Sequence, residues 1–430
     1  MNRALAVVLI LLGGATAAGA DDARVTRATL PNGLRVLVRE NPAAGVVAMT
    51  VLVRAGSRFE APENAGITNF LHRVMARGTA RRSYVDLAIA AEELGGSVDA
   101  SGDVEYAEIR GAALARHWEA MLALVAEVTL QPGLPADAIQ TERRLILSQI
   151  QTRADTPFQR SLDTLLADLY AGHPYGLPSV GLRASVEKLG REDLLAHYRA
   201  IYQPQRMVLA ISGQVTAARV VATATKLFGG MPGSGGSSAD PAPSITPPGG
   251  RRVVEHPAQQ AQVLVGFAGP GVNDADYAAV RVLGAVLGGG MSGRFFVELR
   301  DKQGLAYQLG AIYPSRAGPA FLVGYLGTAP ASAEPAEAGM LREIERIRTD
   351  PPSVDELARA KAYLQGNMAM DRRTNARQTW YLAFFELIGA GYNFPDRYTR
   401  DLAGITAAQV QAAARRYLQH PTIVVLRPPR

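Results

Sequence analysis

Six histidines, at 72, 117, 173, 197, 256 and 420, are the only imidazoles this sequence could offer a metal, a base or a nucleophile. The 430 residues include no cysteine, which removes thiol nucleophiles, cysteine-ligated zinc, iron–sulfur clusters and disulfide scaffolds together. A helix that clamps zinc needs two histidines three or four residues apart on one face, and no pair here has that spacing. His117 and His197 fall in helical segments and read as surface or capping groups. His173, in GHPYG, and His420, before Pro421, read as loop positions. Serine hydrolysis finds no nucleophile elbow, because Ser292 in LGGGMSG lacks the second spacer of G-x-S-x-G. Gly288, Gly290 and Gly293 satisfy G-x-G-x-x-G, but an apolar helical stretch precedes them and no acid stands at the required distance. That run reads as a tight glycine turn.

The elements that would position such groups come from a chain of ordinary globular composition, 48% hydrophobic and 20% charged, which excludes a largely disordered protein. Met1-Asn2-Arg3, the apolar run Ala4 to Leu12 and the A-x-A site Ala18-Gly19-Ala20 predict a cleaved signal peptide over residues 1–20. The expected mature chain is periplasmic or secreted, with no membrane anchor after cleavage. Its net charge of +6 before processing is dispersed. Arg73, Arg77, Arg81 and Arg82, the densest basic group, read as a solvated helix face and its loop, so no nucleic-acid partner is expected.

Residues 229–250, GGMPGSGGSSADPAPSITPPGG, form a Gly/Pro/Ser-rich linker. The halves on either side, 21–228 and 251–430, repeat one order of elements. Strands are expected at 33–38, 46–53 and 260–267, and helices at 67–76 and 277–286. LPADAIQTERRLILSQI (134–150) and PSVDELARAKAYLQGNM (352–368) then match as long amphipathic helices. The fold class expected is α+β: two related domains, each a mostly antiparallel sheet packed against helices. Cutting near Ser237 is expected to leave two folded units.

GSRFEAPENAGITNFLHRVMARGT (56–79) resembles the pitrilysin/insulinase family of inverted zinc peptidases, in the short-chain branch of mitochondrial processing peptidase and the respiratory-complex core proteins. That family writes G-S-R-x-E, then G-[LI]-x-H-x-x-E-H, then G-T, with two histidines as zinc ligands and the glutamate as general base. Gly56, Ser57, Arg58, Glu60, Gly66, Ile67, Phe70, Leu71, Gly78 and Thr79 match without a gap. Asn69 stands at the first histidine, His72 at the glutamate and Arg73 at the second histidine. The third ligand, seven residues after an E-R pair, falls on Gln149 after Glu142-Arg143. A permanent cation at a ligand position opposes metal binding.

The resemblance covers nearly the whole mature chain and implies a role for what remains. LGGSVDAS (94–101) is similar to the edge strand on which the family lays substrate, which assigns Val98, Asp99 and Ala100 to peptide binding. SGRFFVELRDKQGLAYQLGAIY (292–313) is similar to the second-domain signature, in which Arg300 and Tyr307 form the pair that grips substrate. The resemblance thus implies a non-catalytic subunit of an exported heterodimeric zinc peptidase. The chain itself carries no cofactor, zinc sits in a homologous H-x-x-E-H partner, and the substrate is a peptide. The alternative it implies is an enzymatically silent structural or peptide-binding homodimer, as the core proteins are.

Overall fold

The computed structural model describes residues 25–233 and 245–429; the expected signal peptide and the middle of the linker, Ser237 included, lie outside them. The first half builds a six-stranded sheet from β1 (Val25–Thr29), β2 (Arg35–Glu40), β3 (Val46–Val53), β4 (Ser97–Gly102), β5 (Ala107–Leu114) and β6 (Met207–Gly213). The second builds a five-stranded sheet from β7 (Gly250–Glu255), β8 (Ala261–Gly269), β9 (Gln308–Ile312), β10 (Ala320–Thr328) and β11 (Thr422–Arg427). Leaving β1 aside, the order β2-β6-β3-β5-β4 recurs as β7-β11-β8-β10-β9. One parallel pair sits at the same place in each sheet, β2 with β6 and β7 with β11, and the other pairings are antiparallel. The duplication inferred from element order is therefore present strand by strand.

Eight helices bear on the site: α1 (Ile67–Met75), α2 (Ala136–Asp155), α3 (Pro157–Tyr170), α4 (Arg191–Ile201), α5 (Tyr277–Gly288), α6 (Val354–Asp371), α7 (Asn375–Leu387) and α8 (Phe394–Gly404). In the first half α1 packs on the edge strand β4 and against α2 and α4; in the second, α5 packs on the edge strand β9 and against α6 and α8. The remaining face of each sheet is covered from the other half. Helix α3 lies on β8 and β11, and α7 lies on β3 and β6.

That exchange explains why the central strands are apolar on both faces, since successive side chains of a strand point to opposite sides. Val36, Val38, Val51, Val53, Leu209 and Ile211 join the core of the first half. Leu37, Leu52, Val208 and Ala210, the alternate residues, join the core of the second. On the other sheet Leu264, Val323 and Val424 pack with Leu165 and Leu169 of α3. Polar groups fix the register of α7: Asn375 Nδ2 donates to the Val46 carbonyl at 2.8 Å, and the buried hydroxyls of Thr50 and Thr379 meet at 3.0 Å. Two domains joined by a linker are thus also two domains that have each lent the other a helix.

Candidate functional site

Helix α1 is held at its start by residues of the G-S-R-x-E run. The buried Glu60 carboxylate accepts from the amides of Gly66 at 2.6 Å and Thr68 at 3.0 Å, satisfying two donors that a helix N-terminus leaves open. Burial pushes the Glu60 carboxyl above the usual carboxylate range, and the Thr68 side chain and the two amides offset only part of that rise. Gly66 has φ +91°, and a Cβ there would stand 2.6 Å from the Cα of Gly181. Only glycine fits that left-handed position without moving the neighbouring loop.

One turn further on, α1 carries Asn69, His72 and Arg73. His72 does not face the cleft between α1 and α2. It is fully buried, stacked on Tyr202 with ring centroids 5.8 Å apart. Its Nδ1 donates to the Thr68 carbonyl at 2.7 Å, and its Nε2 accepts from the Tyr202 hydroxyl at 2.7 Å. Burial drives its pKa down to about 4, so the ring is neutral at physiological pH. His197 on α4 belongs to the same cluster: its Nε2 meets the Thr68 hydroxyl at 3.0 Å, and burial also lowers its pKa to about 4. It is a half-buried partner of α1, which a helical position in the sequence does not disclose. The Nδ2 of Asn69 is buried with no hydrogen-bond partner among the described residues.

Arg73 fills the space where the second ligand would reach the third. Its Nε donates to Glu142 Oε2 at 2.6 Å and its Nη1 to Gln149 Oε1 at 3.3 Å. The other oxygen of Glu142 accepts from Arg77 Nε at 2.6 Å. Glu142 is 1% exposed, so one buried carboxylate on α2 is neutralised by two guanidiniums, Arg73 on α1 and Arg77 in the turn that follows it. Three of the four arginines read as a solvated face and its loop are thus in ion pairs, since Arg82 too pairs with a carboxylate, Glu127, at 3.0 Å, while Arg81 is exposed. The sequence did hold a signal. Glu142 lies on the apolar stripe between Ile139 and Ile146, all three buried, and a buried acid requires cations opposite it.

These residues do not make a zinc site. An amide, a guanidinium and a second amide supply no anionic or imidazole donor, and the guanidinium already occupies the acceptors that face it. Among the described residues no three His, Cys, Asp or Glu side chains are grouped to hold a metal ion.

The other site residues lie at the edges of the two sheets. Val98, Asp99 and Ala100 are on β4, the outermost strand of the first sheet, whose one strand partner among the described residues is β5. Asp99 Oδ2 pairs with Arg110 on β5 at 2.5 Å, and its Oδ1 accepts from the Ala100 amide at 2.9 Å. Arg300 is exposed, its guanidinium 4.7 Å from the centre of the Phe296 ring. Tyr307 is 69% exposed and directly precedes β9, the outermost strand of the second sheet. The structure thus brings Asn69, Arg73 and Gln149 to one interhelical gap, withdraws His72 from it, and leaves Arg300 and Tyr307 facing solvent.

A residue that sequence reading missed is Glu105, buried at the junction of the halves. It accepts from the Ala317 amide at 2.9 Å and from the Tyr175 hydroxyl, and lies 3.5 Å from Arg58 of the G-S-R-x-E run. Arg58 therefore reaches the second half through one carboxylate.

Comparison with known proteins agrees with this architecture. Residues 35–181 match the family described as Insulinase (Peptidase family M16), and residues 188–364 match Peptidase M16 inactive domain. The chain is 30% identical over 409 residues to an uncharacterized zinc protease of Mycobacterium leprae, spanning 94% of this chain and 92% of that one. An uncharacterized zinc protease of Streptomyces coelicolor is 28% identical over 416 residues, 94% of this chain and 90% of that one. Among solved structures, a peptidase M16 inactive domain from Pseudomonas fluorescens superposes with a TM-score of 0.87 at 22% identity, covering 94% of this chain and 98% of that one. A protease from Helicobacter pylori does so with a TM-score of 0.87 at 21% identity, covering 94% and 99%.

Proposed function

The chain belongs to the insulinase family of M16 peptidases, and from that membership we propose that it is the non-catalytic subunit of an exported, heterodimeric zinc peptidase. The single observation that carries this reading is the Arg73 guanidinium, bonded to Glu142 and Gln149 in the gap where zinc would sit. The catalytic zinc then belongs to a homologous partner with an intact H-x-x-E-H helix. This chain contributes half of the peptide chamber, in the periplasm or outside the cell. Arg300 and Tyr307, both exposed, reach the partner's site, where a cation and a phenol orient a scissile carbonyl and stabilise its developing oxyanion. The edge strand with Val98, Asp99 and Ala100 offers main-chain hydrogen bonds to an extended peptide.

The test is reconstitution with metal analysis. The purified chain should carry well under about one zinc per ten molecules, and should cleave no unfolded peptide alone. Mixed with its zinc-bearing homologue it should form a one-to-one complex whose peptidase activity exceeds that of either component. A chain that binds one zinc tightly and cleaves peptides alone would end this reading. Self-association without effect on the homologue would favour the silent homodimer instead.

A further inference from the structure

Helices α5 and α6 stand in the second half where α1 and α2 stand in the first. Helix α5 follows β8 as α1 follows β3, and aligning α6 with α2 puts Asn367 at the place of Gln149. The contact with the edge strand is equivalent too. A Cβ on Gly102 of β4 would lie 2.8 Å from the backbone of Asn69, and one on Gly288 of α5 would lie 2.4 Å from the backbone of Ala311 on β9. What fills the gap differs. In the first half it is closed by Arg73 and Gln149. In the second it opens into a cavity of about 410 Å³.

The α5 wall of that cavity is built from small residues, among them Gly284 and Ala285, and Trp380 of α7 and Phe394 of α8 line it as well. Arg281 of α5 also lines it, and its guanidinium meets only neutral oxygens. Nε donates to the Tyr398 hydroxyl at 3.2 Å and Nη1 to the Tyr313 carbonyl at 2.5 Å. Among the described residues no carboxylate pairs with it and no acceptor meets Nη2. The second arginine on the wall, Arg377, is different, being paired with Asp371 at 2.6 Å. A half-buried cation with no counter-charge is costly, and a planar fork with a spare N–H matches a carboxylate. Aromatic walls around a cavity of this size suit a compact apolar body.

We propose that this cavity is a binding site for an organic carboxylate with an aromatic or bulky apolar side chain, its carboxylate on Arg281 and its body between α5 and the rings of Trp380 and Phe394. The shared chemistry is an α-carboxylate, supplied by a free amino acid or by the last residue of a peptide. The cavity opens past Tyr363 and Asn367, which are exposed on α6, so a peptide chain has a way out. This site is separate from Arg300 and Tyr307, and does not depend on a zinc-bearing partner.

Calorimetric titration of the purified full chain tests it, using L-phenylalanine, N-acetyl-L-phenylalanine, N-acetyl-L-phenylalaninamide, and a short peptide ending in phenylalanine as acid or amide. Acids should saturate, and each amide should bind at least about tenfold more weakly than its acid, as loss of a charged hydrogen-bond partner implies. Tighter binding of the peptide acid identifies a peptide terminus as the source; tighter binding of free phenylalanine identifies the amino acid. Arg281→Gln should weaken the acids at least about tenfold and leave the amides unchanged. Asn367→Trp, on an exposed face at the mouth, should weaken acids and amides alike without touching the core. The proposal is overturned if no acid saturates up to about 10 mM, if acid and amide bind equally, or if Asn367→Trp binds as the parent does.

Discussion

Arg73 links α1 to α2 through Glu142 and Gln149, the task a bound metal performs elsewhere, but with a charge that cannot dissociate. Because Glu142 is buried and shared, its two arginines should be strongly coupled. Arg73→Ala alone should cost about 1 kcal/mol, since Arg77 still pairs with the carboxylate and both arginines are partly exposed. Removing Arg73 and Arg77 together leaves an unpaired buried anion and should cost about 3 kcal/mol or more, exceeding the sum of the single changes. Urea midpoints of the four proteins in that cycle check this; additive losses would contradict a shared carboxylate. A second expectation concerns acid. His72 and His197 have folded pKa values near 4 against an ordinary 6.5, so the unfolded chain takes up protons first as pH falls. Their contribution is complete above pH 6.5 and is lost as pH drops towards 4, by on the order of 3 kcal/mol per ring. His72→Gln should flatten that decline in stability measured between pH 7 and 4.5. The residue identities at 69, 72, 73 and 149 were readable in the sequence, because they depend only on a linear motif. The inward turn of His72 was not, since it is set by Tyr202, 130 positions away.

Elements whose apolar pattern is intrinsic were the most legible. The expected strand at 46–53 is β3 to the residue, and the expected helices at 67–76 and 277–286 are α1 and α5 within a residue or two. The partner of each apolar face was not legible, because periodicity marks which side of an element is buried and never against what. Helix α7 is the clearest case, belonging to the second half by sequence and to the first sheet by contact. Its buried Thr379 donates to the Ala376 carbonyl at 2.8 Å, which leaves the Thr50 hydroxyl to donate to Thr379. Thr379→Val orphans that donor and should cost about 1–2 kcal/mol in thermal or urea unfolding. Adding Thr50→Val should recover part of the loss; a double variant as unstable as the sum of the two singles would contradict a specific hydroxyl pair.

For the whole molecule, the exchanged helices revise what a cut at Ser237 should do. A nicked chain should elute as one particle, whereas either half produced alone exposes an apolar sheet face and should aggregate or bind hydrophobic dyes. Independent solubility of both halves would show that α3 and α7 are dispensable covers. Under the proposed function, activity at this scale belongs to the pair formed with a zinc-bearing homologue. Arg300→Ala should leave complex formation intact and lower kcat of the mixture by about 10- to 1000-fold; unchanged peptide kinetics would remove Arg300 from the site. The exchange also sets an order in time. Thr50 and Thr379 are 329 positions apart, so β3 and β6 emerge from synthesis long before the helix that covers them. Contacts so distant along the chain form late and slowly, and an apolar sheet face left waiting is prone to wrong partners. A chain of this topology depends on being kept apart from its neighbours until Asn375–Leu387 has been synthesised and has docked.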